Sequence, residues 1–280
     1  MFVFLVKGRN SMSLKQRISH LIGGVILVFL LAGCGEQPEE AGAADKEEEK
    51  VIGIIGPMEV EIDILHSHMD VEETTEKGEL TFYEGTLEGQ PIVLVKSGIG
   101  KVNAASAAQM LISDFEADVL VNSGVAGGIH PDLGLGDIVI STKTVHHDMD
   151  ETAKGFKPGQ IPYMDTRYFE ADQELIQLAK KGTKGLPDYV DVFKAPIATG
   201  DQFIASKEKT EWIYETFDAY VVEMEGAAVG QVAYLNEIPY VVIRSASDDA
   251  GEEAAGIQEN FVEEAAKNSS HVIEEMLKNM

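Results

Sequence analysis

The 280-residue chain carries 48 acidic against 22 basic residues, a formal charge of −26 at neutral pH. Its arginines are Arg9, Arg17, Arg167 and Arg244, so the balance excludes a nucleic-acid binder, whose cations must meet phosphates, and a polyphosphate clamp. A single cysteine, Cys34, excludes an intramolecular disulfide, thiol-pair catalysis and a cysteine-based metal site.

In chain order, Lys15 and Arg17 precede an apolar run from Leu21 to Leu31. Eleven residues are too few to span a bilayer but suit a signal-peptide core. Leu31-Ala32-Gly33-Cys34 follows and resembles the bacterial lipobox, which implies cleavage before Cys34 and lipid on its sulfur. Residues 1–34 are thus expected to be a lipoprotein signal peptide, starting at Met1 or Met12, with an uncleaved membrane anchor as the alternative. The mature protein would be extracytoplasmic and lipid-anchored to the bacterial cell membrane. Losing Lys7, Arg9, Lys15 and Arg17 would take the charge from −26 to −30. Residues 35–50, GEQPEEAGAADKEEEK, hold no aromatic and no aliphatic side chain above alanine, and so read as an acidic disordered tether. Residues 51–280 are enough for one domain with a substantial core.

That domain alternates two periodicities. Val51 to Ile55 is a nearly continuous apolar run, as for a strand buried on both faces. Gly56-Pro57 breaks it, and Met58, Ile62, Leu65 and Met69 mark a helical stripe with Pro57 in the first turn. Thr81 to Leu87, Gly89-Gln90 and Pro91 to Lys96 read as a hairpin. Val102 to Phe115 is an alanine-rich helix. Val119 to Asn122 and Asp137 to Val145 are strands, Ala171 to Lys181 a helix, and Val190 to Ala198 a strand. Lys207 to Phe217 is a helix, Ala219 to Val222 a strand, Gly226 to Leu235 a helix and Tyr240 to Ile243 the last strand. Phe261 to Leu277 closes the chain as an amphipathic helix. The spacing predicts an α/β fold, with a central mixed, mostly parallel sheet flanked by helices.

Several strands stop in small or polar groups. These are Gly56-Pro57-Met58-Glu59-Val60-Glu61, Ser97-Gly98-Ile99-Gly100-Lys101, Asn122-Ser123-Gly124-Val125-Ala126-Gly127-Gly128, Gly200-Asp201-Gln202-Phe203-Ile204, Glu223-Met224-Glu225 and Arg244-Ser245-Ala246-Ser247-Asp248. Strand ends of an α/β sheet share one crevice, and glycines let backbone approach a ligand there. Glu225 at such an end could accept hydrogen bonds from both hydroxyls of a diol. It could equally be an acidic helix start favoured by the helix dipole. Arg244, ending an apolar strand, needs a partner. His146-His147-Asp148 is the nearest approach to a metal cluster, but neighbours on a strand point to opposite faces. No metal or cofactor is expected.

The segments IGIIGPMEVE, KSGIGKVNAA, VAGG, GDQFI, VEMEGAA and IRSASD, in that order and spacing, resemble the bacterial 5'-methylthioadenosine/S-adenosylhomocysteine nucleosidases of the nucleoside phosphorylase superfamily. The resemblance runs from Val51 to the C-terminus. It implies a nucleoside phosphorylase-like fold, a homodimer, and hydrolysis of the N-glycosidic bond of adenine nucleosides with release of adenine. It implies that Glu61 activates water and Asp248 protonates adenine N7. It places Glu225 on the ribose hydroxyls, Met224 on the sugar, Phe203 on the purine face and the Ile204 backbone on the adenine edge. Met58, Ile99, Ala126 and Gly127 would line the site, and Arg244 with Ser247 would support the water and Asp248.

The chemistry of the residues agrees with that implication. Cleaving a nitrogen–ribose bond needs a proton donor to the leaving base and a carboxylate that orients water, two carboxyl groups flanking one bond. Asp249 beside Asp248 would raise the latter's pKa. By themselves, Glu61 reads as a solvated glutamate, Asp248 as a helix cap and Phe203 as core. The chain departs from the family in Val125, where serine is usual, and in Glu151, Lys154 and Gln258, which fall near the 5' end of the nucleoside, whereas Pro162 keeps its place. A polar 5' pocket would narrow the preference for a methylthio group. Competing functions are a phosphate-dependent phosphorylase on this fold and a nucleoside-binding lipoprotein without turnover.

Overall fold

The computed structural model describes residues 50–251 and 259–280. The expected signal peptide, Cys34, all of the tether but Lys50, and Gln258 lie outside the described residues. The helices and strands pack as one α/β unit. β1 (Ile52–Gly56) leads into α1 (Glu59–His68), followed by β2 (Asp70–Lys77), β3 (Leu80–Leu87), β4 (Gln90–Lys96) and α2 (Lys101–Asp114). Then come β5 (Val119–Gly128), β6 (Ile138–His146), β7 (Phe169–Glu170), α3 (Gln173–Gly182), β8 (Val192–Thr199) and α4 (Lys207–Phe217). β9 (Val221–Glu223), α5 (Gly226–Asn236), β10 (Tyr240–Asp248) and α6 (Glu259–Leu277) complete the chain.

The sheet runs β10-β6-β8-β9-β5-β1-β4-β3-β2, and β10 also pairs with β5. That last pairing closes β10, β6, β8, β9 and β5 into a ring, from which β1, β4, β3 and β2 extend as an open wing. Parallel pairings join β1 to β4 and β5, β5 to β10, and β8 to β6 and β9. Antiparallel ones join β2, β3 and β4 in series, β6 to β7 and β10, and β5 to β9. The sheet is therefore mixed and flanked by helices, as the alternation predicts.

Local chemistry accounts for most elements. The hairpin turn at Glu88-Gly89 has positive φ at both residues, the geometry that suits the twist of a two-residue loop. α2 turns Ala104, Ala107, Ala108 and Leu111 inward, and α2 packs on α5. α5 is buried through Ala227, Ala228, Val229 and Ala233. α6 covers β5 and β10 and touches α1 and α3.

Some expectations are corrected. Pro57 lies before the helix, because Met58 is the N-cap of α1. β2 was not expected, since DVEETTEK offers Val71 as its one aliphatic residue, and it forms only as an exposed edge on β3. β5 does not stop at Asn122, and β10 does not stop at Ile243. Both continue through their small residues because they pair with each other, from Leu120 opposite Tyr240 to Gly127 opposite Asp248.

Candidate active site

The strand ends converge on a cavity of about 300 Å³. Glu61 enters from the third position of α1, where it reaches back to the helix N-cap. Its Oε2 accepts the Met58 amide at 2.6 Å and its Oε1 accepts the Val125 amide at 2.9 Å. It has no exposure, so the solvated reading of Glu61 does not hold. Burial pushes its carboxyl up to about 7, against the opposing pull of Arg244 and the two amides. Gly124 makes this approach possible, since a Cβ there would fall on both Arg244 and Glu61.

Asp248 ends β10 and caps no helix. Its Oδ1 accepts the Ala250 amide at 2.8 Å, and the Ser247 hydroxyl lies 2.9 Å from Oδ2. Its pKa is raised, chiefly by burial; the two hydrogen bonds oppose the shift, and Asp249, the cause expected from the sequence, adds least.

Arg244 is fully buried and finds its partners in the glutamates. Its Nη2 donates to Glu223 at 2.6 Å and Asn122 at 2.7 Å, and lies 3.3 Å from Glu225. Nη1 approaches the carbonyls of Val125 and Ser123 at 3.3 and 3.5 Å. Of the Arg244 and Ser247 pair, Ser247 is the one hydrogen-bonded to Asp248. Glu225 is held by the Gly100 amide at 2.8 Å, and burial raises its pKa while Arg244 opposes. Gly100 offers that amide from a φ of 102°, which a side chain would resist. The α5 start that could have been Glu225's role belongs to Glu223, whose Oε2 accepts the Glu225 and Gly226 amides.

The apolar walls come from Met58, Met224, Ile99, Ala126, Gly127 and Ile204, and from Val262 of α6. Phe203 also lines the cavity and is 62% exposed, so it is a mouth residue rather than core. Ile99 stands beside it at 53% exposure. A latch that the sequence did not reveal ties the loops carrying these two. Lys101 Nζ meets Asp148 at 2.7 Å, the Lys101 amide donates to Asp201 at 2.8 Å, and the Asp201 amide donates to Asp148 at 2.9 Å. The sequence placed Glu223 and Gln202 in strand-end segments but assigned neither a role, and both line the cavity; for Glu223 the usable signal was a second carboxylate two positions before Glu225.

Glu151 and Lys154 do not line this cavity. They pair with each other at 2.7 Å on a short 3-10 turn, with Lys154 exposed, so the expected polar 5' wall is not formed by them here. Val125 lines the cavity through an apolar side chain, while its amide still binds Glu61. His146 hydrogen-bonds Gln231 at 3.0 Å. His147 is buried, which lowers its pKa to about 4 and keeps it neutral. Among the described residues no group of histidines and carboxylates is arranged to hold a metal.

The Phosphorylase superfamily model matches residues 51–278, so the fold is that of the nucleoside phosphorylases. A 5'-methylthioadenosine/S-adenosylhomocysteine nucleosidase from Anoxybacillus flavithermus is 45% identical over 81% of this chain and 97% of its own. The crystal structure of the Neisseria meningitidis nucleosidase of the same name, in complex with methylthio-immucillin-A, superposes with a TM-score of 0.79. It is 40% identical over 82% of this chain and 100% of that one. The Colwellia psychrerythraea nucleosidase in complex with adenine has a TM-score of 0.79 and 41% identity, over 82% of this chain and 95% of that one. The chain belongs to the 5'-methylthioadenosine/S-adenosylhomocysteine nucleosidase family.

Proposed function

We propose that the protein hydrolyses the N-glycosidic bond of 5'-substituted adenine nucleosides, 5'-methylthioadenosine and S-adenosylhomocysteine among them, and releases adenine. The observation that carries this reading is a pair of buried carboxyl groups, Glu61 and Asp248, in one cavity, each with a raised pKa and held by different donors. Glu61, poised near neutrality, takes a proton from water as the water oxygen bonds to the anomeric carbon. Asp248 gives its proton to adenine N7 as the carbon–nitrogen bond breaks. Glu61 then returns its proton to solvent and Asp248 regains one. Glu225 accepts from the ribose hydroxyls, Met224 packs on the sugar and Phe203 covers the purine.

Two observations favour water over phosphate as the attacking group. Arg244 is the one cation lining the cavity among the described residues, and its short contacts go to Glu223 and Asn122. Arg167 lies outside it, against Tyr168 and Phe217. A binder without turnover would have no use for a carboxylate tuned to about 7. Incubating the protein with a nucleoside panel, with and without phosphate, and chromatographing the products tests the reading. Free adenine at a phosphate-independent rate is expected. Ribose 1-phosphate products or no turnover would reject it. With Glu151 and Lys154 paired away from the cavity, kcat/KM should favour methylthioadenosine over adenosine by about tenfold or more, from burial of the methylthio group.

The lipobox motif supports anchoring through Cys34 outside the cytoplasmic membrane. Cys34→Ala should leave activity unchanged and remove the protein from the washed membrane fraction; retention there would refute the anchor. We assign a homodimer on the family resemblance, and sedimentation of the soluble domain checks it.

A further inference from the structure

Glu223 has no part in the bond-breaking just described, yet the site is wired through it. Its side chain is buried. Oε2 accepts from Arg244 Nη2 at 2.6 Å, from the Gly226 amide at 2.7 Å and from the Glu225 amide at 3.0 Å. Oε1 accepts from the Thr199 hydroxyl, whose own oxygen is taken by the Ala227 amide at 2.8 Å. Every one of these partners is a donor, and a carboxylate can accept them all. Arg244 Nη2 carries two hydrogens. The short contacts to Glu223 and to Asn122, at 2.6 and 2.7 Å, use both. Glu225, at 3.3 Å, therefore shares one of them and holds the longest of the three contacts.

Resting on the nucleosidase reading, we propose that Glu223 is a positioning residue that occupies the Arg244 guanidinium, so that Glu225 stays turned to the sugar hydroxyls and Glu61 stays able to take a proton from water. The charged groups facing Glu223 are Arg244 from β10 and Glu225 from its own loop, and the titratable ones are His146 and His147 at the end of β6, both with lowered pKa. Those facing Glu61 are Arg244 and Glu225. Without the Glu223 charge, Arg244 would close on Glu225 and draw it from the cavity. Its pull on Glu61 would also be less compensated, and Glu61 would ionise at lower pH.

The test compares the full chain with Glu223→Gln and Thr199→Val. Glu223→Gln is expected to raise KM for methylthioadenosine about tenfold or more, the scale of one charge-assisted hydrogen bond. The acidic limb of kcat/KM should move down by roughly half a pH unit or more. Thr199→Val, which keeps the charge and removes one anchor, should raise KM severalfold with a smaller shift of the limb. Carbon-13 NMR of glutamate-labelled protein follows the Glu61 carboxyl without any substrate, its signal assigned by loss in Glu61→Gln. Its midpoint should fall in Glu223→Gln. A folded Glu223→Gln protein with native KM and native Glu61 midpoint, whatever its melting temperature, overturns the proposal. If that variant does not fold, a native KM in Thr199→Val overturns it. Should the parent protein release no adenine, the functional reading fails separately, and the NMR midpoint still decides whether Glu223 controls Glu61.

Discussion

The open wing is rich in glutamate and the rim of the strand ring gathers Glu61, Glu223 and Glu225, and the two regions use the residue in opposite ways. On the wing, β2 carries Glu72, Glu73 and Glu76 on an exposed edge, where charge prevents another strand from adding. On the ring, Glu223 and Glu225 are buried around Arg244, and Glu61 reaches the same rim from α1. The residue type is constant while its environment changes from water to a cavity lined with backbone amides. A glutamate becomes a candidate for chemistry when burial raises its pKa and fixed donors set its direction.

The sharpest way to break this contrast is at the two carboxyl groups of the cavity. Asp248→Asn should lower kcat by ~10²–10⁴, with a smaller effect on binding because the amide still donates. Glu61→Gln should be similarly damaging. Steady-state kinetics giving near-native turnover for either would remove its assigned role. Arg244→Met comes next. It leaves Glu223 and Glu225 buried without their cation, a loss of about 3–5 kcal/mol, to be read as a fall in denaturation midpoint.

A subtler effect concerns pH. The folded state holds the Glu61 proton up to about 7, whereas the unfolded chain releases it near 4.5. Stability should therefore fall as pH rises between those values, by on the order of 3 kcal/mol from this group. Glu61→Gln should flatten that slope in denaturant titrations. Over the same range kcat/KM of the parent protein should climb, with its acidic limb centred near pH 7. A slope unchanged in the variant would mean that Glu61 is not the group responsible. The smallest effect belongs to the wing: Glu73→Gln should alter stability by no more than ~0.5 kcal/mol and leave kinetics unchanged. A measurable loss of turnover there would erase the distinction between the two regions.

Much of the architecture was legible because it is written in local periodicity. Lys207 to Phe217, for example, is α4 to the residue. What escaped depended on distant partners. The glycine-rich run after Asn122 looks like a strand stop in isolation, and only β10 lying alongside turns it into strand. β2 carries no alternation because both faces meet solvent, and the two residues of β7 are too few to show a period. The site followed the same division. Its motif residues were readable from the resemblance, and they share one cavity. The clasp of Glu223 on Arg244 and the latch of Lys101 on Asp148 join residues far apart in sequence. Neither leaves a mark on local composition. The sequence also named the wrong neighbour for Asp248, since adjacency to Asp249 is visible in one dimension and burial is not.

The pairing of β5 with β10 has a bearing on the order of folding. Leu120 meets Tyr240, and Asp248 reaches its place only through this late-arriving strand. Such non-local parallel pairing closes a long loop, and contacts of that kind form slowly. During synthesis from the N-terminus, Glu61 is present long before the strand that carries Arg244 and Asp248. A chain interrupted before β10 would contain Glu61, the proposed water activator, and lack both Arg244, which faces it, and Asp248, the proposed acid. Catalytic competence should accordingly appear in one step at the end of folding, making adenine release a kinetic marker for ring closure.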